Sequence, residues 1–252
     1  MFDLLARYMP SIMSGAWLTI EVAFLSLALA FLLGLVGAWA KLSKNILART
    51  LGTAYTTIIR GVPDLVLMML IFFGGQFAMN AITDWLYTAT EKGYLFEVFG
   101  MRILETPEPI DMFINVDPFM AGVFSIGFIY GAYMAETFRG AFMSVERGQI
   151  EAGKAYGMRP FQIFSRIMFP QMMRHALPGL GNNWMVILKT TALVSIIGLS
   201  DMVLIASQAA KAEHAPFIFF IPVAGIFLAL TAGSEWLINR LQNRYNTGFS
   251  RG

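Results

Sequence analysis

Five stretches of this chain are apolar for long enough to cross a bilayer, and the charged residues are gathered between them. Ala16–Ala40 is interrupted only by Glu21 and hydroxyl side chains. A second run begins within Leu51–Pro63 and continues through Leu65–Ile82, a third is Pro118–Ala135, a fourth Trp184–Ala210 and a fifth Pro216–Ile238. A helix needs about 20 apolar residues to span the hydrocarbon core, so each run predicts one transmembrane helix. Ala38-Trp39-Ala40 imitates a signal-peptide cleavage site. The apolar stretch before it is too long for a secretory signal, only Arg7 precedes it, and equally apolar segments follow. The first span is therefore expected to remain in the mature protein.

Composition agrees with this pattern. Of 252 residues, 57% are hydrophobic and 13% charged, with a mean hydropathy of +0.62; soluble domains run at roughly 45–50% apolar and about 25% charged. Five spans leave little chain for a separate water-soluble catalytic domain. The absence of cysteine excludes disulfides, thiolate zinc sites and cysteine nucleophiles, and the two histidines, His175 and His214, are isolated from each other. The reading is one all-α transmembrane domain over residues 1–252, with membrane lipid around it and no nucleic-acid partner.

The net charge of +2 conceals an asymmetry. One set of loops carries Lys41, Lys44, Arg49 and Arg60, then Arg139, Arg147, Lys154, Arg159, Arg166 and Arg174, then Arg240, Arg244 and Arg251. The opposite set holds only Arg7, Lys92, Arg102 and Lys211, with Lys189 left inside span four. Basic loops are retained on the cytoplasmic side, which predicts an external N-terminus and a cytoplasmic C-terminus. The outer loop Ala81–Asp117 is acidic, and its Pro107 and Pro109 predict an irregular segment.

The segment 139–175 between spans three and four is polar and falls on the cytoplasmic side. Gln149–Tyr156 and Phe161–Met168 predict two short helices, broken by Gly157 and Pro160 and closed by Pro170. Within it, Gly148-Gln-Ile-Glu-Ala-Gly-Lys154 has the glycine spacing of a phosphate-binding loop. Ala155 stands where Ser or Thr would ligate magnesium, and no strand precedes it. The chain is not expected to hydrolyse ATP. No His-Glu-x-x-His zinc motif occurs, and both histidines sit at span ends, away from the interior serines an intramembrane protease would use.

Four ionisable or glycine features lie in the spans. Glu21, close to the outer end of span one, and Lys189, expected to be buried by its apolar context in span four, are functional candidates, because charge inside a membrane helix is costly. Glu136 and Arg139 are three residues apart and are expected to pair on one helix face. Gly127-x-x-x-Gly131 allows close helix approach.

Glu151-Ala152-Gly153, then Gly157, then Ile167-Met168-Phe169-Pro170 closely resembles the EAA–G–I-LP loop of ABC-importer membrane subunits. Gly153 departs from the usual second alanine. The flanking Arg60-Gly61-Val62-Pro63, Ala132-Tyr133-Met134-Ala135-Glu136 and Lys189-Thr190-Thr191-Ala192-Leu193-Val194-Ser195 resemble the polar amino-acid branch, in particular the Q-type subunits of histidine/lysine/arginine/ornithine permeases, with opine permeases as near relatives. The resemblance implies the type I importer permease fold. It implies that Glu151, Ala152, Gly153, Gly157, Ile167 and Pro170 form a coupling surface for an ATPase. It further implies two ATPase subunits that carry ATP and magnesium, a second and non-identical permease subunit, an external substrate-binding protein, a bacterial inner-membrane location, and a cationic amino acid as substrate. The chain itself would bind no cofactor. Glu21, Lys189, Thr190, Thr191 and Ser195 are the pathway candidates. Many polar amino-acid permeases carry Asp where this chain has Thr190, which leaves two readings: the partner permease provides the acid, or the external binding protein does most of the selecting and Thr190, Thr191 and Ser195 line a tolerant polar path. Glu21 is the remaining acidic candidate in this chain. The competing class, a stand-alone carrier or channel, predicts internal repeats or paired mid-membrane acids, and the sequence has neither.

Overall fold

The computed structural model describes residues 2–91, 94–98, 101–105, 108 and 111–246. Helices α1 (Phe2–Leu42), α2 (Ile46–Gly61) and α3 (Asp64–Thr90) are followed by a hairpin of β1 (Tyr94–Val98) and β2 (Met101–Glu105), then α4 (Pro118–Met143) and α5 (Arg147–Ala155). The short α6 (Pro160–Ile163) runs through a π-helical turn, Phe164–Met168, into α7 (Phe169–Thr190) and a 3₁₀ segment, Thr191–Ile197. Helices α8 (Met202–Ala212) and α9 (Pro216–Asn246) are the last described elements. Among the described residues, five segments are long and apolar enough to cross a membrane: Leu4–Leu42, Asp64–Thr90, Pro118–Met143, Pro160–Ile197 and Pro216–Arg244.

The count of spans agrees with the sequence reading, but several boundaries do not. Helix α1 begins at Phe2, well before Ala16. At about 1.5 Å per residue it is some 60 Å long, twice the hydrocarbon core. Its first turns lie against α8 and the beginning of α9 and build a separate cluster, Ile12 and Ala16 against Met202, Ala206 and Phe219, where the Tyr8 hydroxyl donates to Glu213 at 2.9 Å. The second apolar run divides at Val62-Pro63, because proline forces its predecessor into extended backbone (Val62 φ −114°, ψ 141°) and has no N–H to continue the helix. Thus α2, capped by Asn45 Oδ1 accepting from the Leu47 N–H at 2.9 Å, lies apart from the spanning α3.

Trp184–Ala210 is not one helix. The fourth crossing starts at Pro160 and ends at Ile197, where Gly198 turns left-handed at φ +90°. Asp201 then caps the short α8, its Oδ1 accepting from the Leu204 N–H at 2.9 Å. Pro170 does not close a helix either. The wider π turn before it absorbs the hydrogen bond that proline cannot donate, and the helix continues. Between α3 and α4, β1 and β2 pair antiparallel with Phe96 opposite Ile103, where the sequence predicted irregular chain. Alternating aromatic and branched residues on both sides of a short connection favour that hairpin. Pro107, Pro109, Lys92 and Arg251 lie outside the described residues.

Helix α4 is the central post. Ile126, Ile129, Tyr130 and Met134 are nearly inaccessible. It runs parallel to α1 at close range: a Cβ at Gly127 would lie 2.6 Å from Leu29, and one at Gly131 2.8 Å from Leu33. The small-residue spacing therefore serves packing. Ser26 Oγ, donating to the Val123 carbonyl at 3.3 Å, belongs to the same contact.

Candidate functional site

Where α1, α2 and α4 end near one another, the Lys41 ammonium contacts both Glu136 and Thr56 Oγ1, the latter at 2.8 Å. Arg139 Nε donates to the other Glu136 oxygen at 2.9 Å. The expected Glu136–Arg139 pair is thus a three-charge cluster, in which Lys41 ties α1 to α4. Tyr130 lies six residues before Glu136, about 9 Å further into the bilayer.

At that depth a polar chain crosses three elements. The Tyr130 hydroxyl donates to Asp64 Oδ2 at 2.7 Å and shares a hydrogen bond with Thr190 Oγ1, also at 2.7 Å. Because the tyrosine donates to the carboxylate, Thr190 is the donor to the tyrosine oxygen. Pro63 sets this geometry, since the helix break puts Asp64 in the first turn of α3, where a carboxylate also meets the positive end of the helix dipole. Tyr133 stacks on Tyr130 with ring centroids 5.4 Å apart, and the Arg60 guanidinium lies 5.4 Å from the Tyr133 ring centre. Arg60 is exposed and Asp64 and Tyr133 half-buried, so the group opens onto a face of the molecule.

Thr190 is the one sequence candidate that this chain of hydrogen bonds includes. Lys189 is exposed, contrary to the burial expected from its apolar context. The exposed Asn182 precedes it by seven residues on the same side of α7. Thr191 is fully buried and Ser195 half-buried, and their hydroxyls return to the Leu188 and Ala192 carbonyls at 2.7 Å each. Glu21 is half-buried. Register with α4 puts Tyr130 level with about Leu32, so Glu21 stands roughly 16 Å away along the axis, toward the N-terminal end of α1. Sequence reasoning missed Asp64, Tyr130 and Tyr133 as a unit; the signal available was an acid directly after Pro63.

A second surface forms around α5. Glu151 and Ala152 are exposed, whereas Gly153 is buried. A Cβ on Gly153 would come within 2.8 Å of Ile167 and 3.3 Å of Ile163, so glycine lets α5 lie directly on the α6–α7 helix. Gly157 ends α5 at φ +74°. Its N–H reaches the Lys154 carbonyl at 2.9 Å and the Met158 N–H reaches Gly153 at 3.1 Å, the paired bonds of a Schellman stop. Two aromatic rings left unremarked by the sequence reading project here, Tyr156 at 89% exposure and Phe161 at 77%. A hollow of about 420 Å³ lies beside them, lined by Gln149, Ala152, Met158 and Arg166 among others. Ile167 is half-buried and Pro170 exposed.

Residues 30–247 match the family described as binding-protein-dependent transport system inner membrane component. The histidine/lysine/arginine/ornithine transport system permease protein HisQ of Salmonella typhimurium is 49% identical over 240 residues, 95% of each chain. The arginine ABC transporter permease protein ArtQ of Escherichia coli K12 is 35% identical over 234 residues, 92% of this chain and 93% of that one. Among solved structures, that of an amino acid ABC transporter with histidines superposes with a TM-score of 0.73 at 28% identity, covering 97% of this chain and 98% of the other. The chain belongs to the inner-membrane components of binding-protein-dependent transport systems.

Proposed function

We propose that this chain is one half of the membrane pathway of an ATP-driven importer for cationic amino acids. The observation that carries the substrate class is Asp64, a carboxylate held on an open face at membrane depth by Tyr130. Thr190 stands where relatives of the wider branch carry an acid, and here the acid reaches the same place from α3 through one tyrosine. Charge-assisted hydrogen bonds are the strong ones, so a guanidinium, ammonium or imidazolium gains most at such a site. Tyr133 and Arg60 share the open face, and the exposed Lys189 neighbours Thr190 on α7; a second and non-identical permease subunit completes the face. Glu21 lies toward the outer mouth as a contributor to uptake of the cation.

The force comes from two ATPase subunits, which hold ATP and magnesium. They dock on Glu151, Tyr156 and Phe161 and around Gly157. The helix from Pro160 to Ile197 links that surface to the pathway: Ile167 packs on Gly153 near one end, and Thr190 bonds Tyr130 near the other. A displacement of α5 is thereby delivered to the polar group by one rod. An external binding protein delivers the solute.

Uptake of radiolabelled arginine, histidine and glutamine into membrane vesicles tests the substrate class. Arginine and histidine are expected to be taken up in preference to glutamine, and a preference for glutamine rejects the assignment. Orientation follows the charge map, with the N-terminus outside and the C-terminus cytoplasmic. The cysteine-free chain allows a direct check, in which single cysteines replacing Glu91 and Arg159 react with an impermeant reagent from opposite faces; reaction of both from one side contradicts it.

A further inference from the structure

Helices α1, α7 and α9 leave two adjoining apolar cavities between them, of about 330 and 210 Å³, that share Trp184. Phe24 packs against Trp184 in a tilted arrangement with ring centroids 5.0 Å apart and lines the first; Phe31 and Leu241 line the second. Along α1 the groove extends from Ile20 to Phe31, about 16 Å at helical rise, close to half the hydrocarbon core. It lies about a third of a turn around α7 from Lys189, away from the open polar face.

The charge at one end of this groove identifies what fills it. On α9, Gly233 and Leu237 line the groove, and Arg240 and Arg244 continue the same helical stripe at three- and four-residue steps. On α7, Leu177 and Gly181 line it, and Arg174 precedes them by three and seven residues on that stripe. Arg240 is exposed and folds over the Trp236 ring at 5.4 Å, the interfacial pairing of a cation with an amphipathic aromatic. Arg174 on α7 and Arg240 and Arg244 on α9 thus continue the two groove-lining stripes toward the end nearest the α5 surface, beyond an apolar slot one leaflet deep.

We infer that this groove binds one anionic phospholipid of the leaflet on the α5 side, an acyl chain lying along Trp184 and the phosphate among Arg174, Arg240 and Arg244. Gly233 gives a clean test, because a Cβ there meets nothing within 4 Å, so a larger side chain enters the slot without displacing a neighbour. The complex containing the full chain is purified in detergent and offered dioleoyl phosphatidylglycerol or dioleoyl phosphatidylcholine, with retention read by native mass spectrometry. The expected result is one retained phosphatidylglycerol, bound about tenfold or more tightly than phosphatidylcholine, as one or two interfacial basic contacts provide. Arg240→Gln with Arg244→Gln removes the preference between the lipids, Arg→Lys at both restores it, and Gly233→Leu lowers retention of both. Equal retention of the two lipids by the parent, or undiminished phosphatidylglycerol on Gly233→Leu, overturns the proposal. So does a cysteine at Leu237 that cross-links to the second permease subunit, which would give the groove to a helix of that subunit.

Discussion

Replacing Gly157 by valine is expected to leave the chain in the membrane and to reduce substrate-stimulated ATP hydrolysis by tenfold or more, on the order of a 1.4 kcal/mol loss in coupling. The reason is conformational. Gly157 sits at φ +74°, where a Cβ meets nothing within 4 Å, so no neighbour opposes the substitution. The backbone does: a β-branched residue in the left-handed region costs on the order of 1–2 kcal/mol, and α5 escapes that cost by abandoning its Schellman stop. Tyr156 and Phe161, on either side of that turn, would then point in new directions. Membrane insertion depends on the spans and is expected to be unchanged, which immunodetection in membrane fractions checks. Normal coupling in Gly157→Val removes the turn from the account.

Asp64→Asn is expected to lower arginine uptake by about 10- to 100-fold, the loss of one charge-assisted hydrogen bond at roughly 1.5–3 kcal/mol. Asparagine keeps an oxygen that accepts from the Tyr130 hydroxyl, so the link from α3 to α4 persists and only the charge is removed. Tyr130→Phe reverses the logic, keeping the acid and removing the hydroxyl that joins it to Thr190, and a smaller loss is expected. Initial rates of arginine uptake in the two variants, beside Glu21→Gln, rank the three groups. Unchanged arginine uptake in Asp64→Asn removes Asp64 from the pathway.

The spans were legible because a membrane helix is written as length and apolarity, and the basic residues cluster between them. The EAA-type loop was legible because its glycines mark backbone events, a close approach at Gly153 and a left-handed stop at Gly157. The break after Ile197 was hidden by continuous apolar sequence on both sides. Its signals were Gly198 and the cap Asp201, and hydropathy outweighed them. Lys189 was expected to be buried because its neighbours along the chain are apolar, whereas burial depends on which face of α7 the fold covers. Asp64, Tyr130 and Thr190 lie 66 and 60 residues apart in sequence, and only tertiary structure joins them. Read alone, Asp64 is an ordinary first-turn acid after a proline.

Arginine accumulation in proteoliposomes tests the central claim, that this chain supplies the passage and separate ATPases supply the work. The chain is reconstituted alone, and with the second permease, the ATPase subunits and the binding protein, with ATP or with an imposed proton or sodium gradient. Accumulation is predicted only in the complete assembly with ATP; gradient-driven accumulation by the chain alone would contradict it.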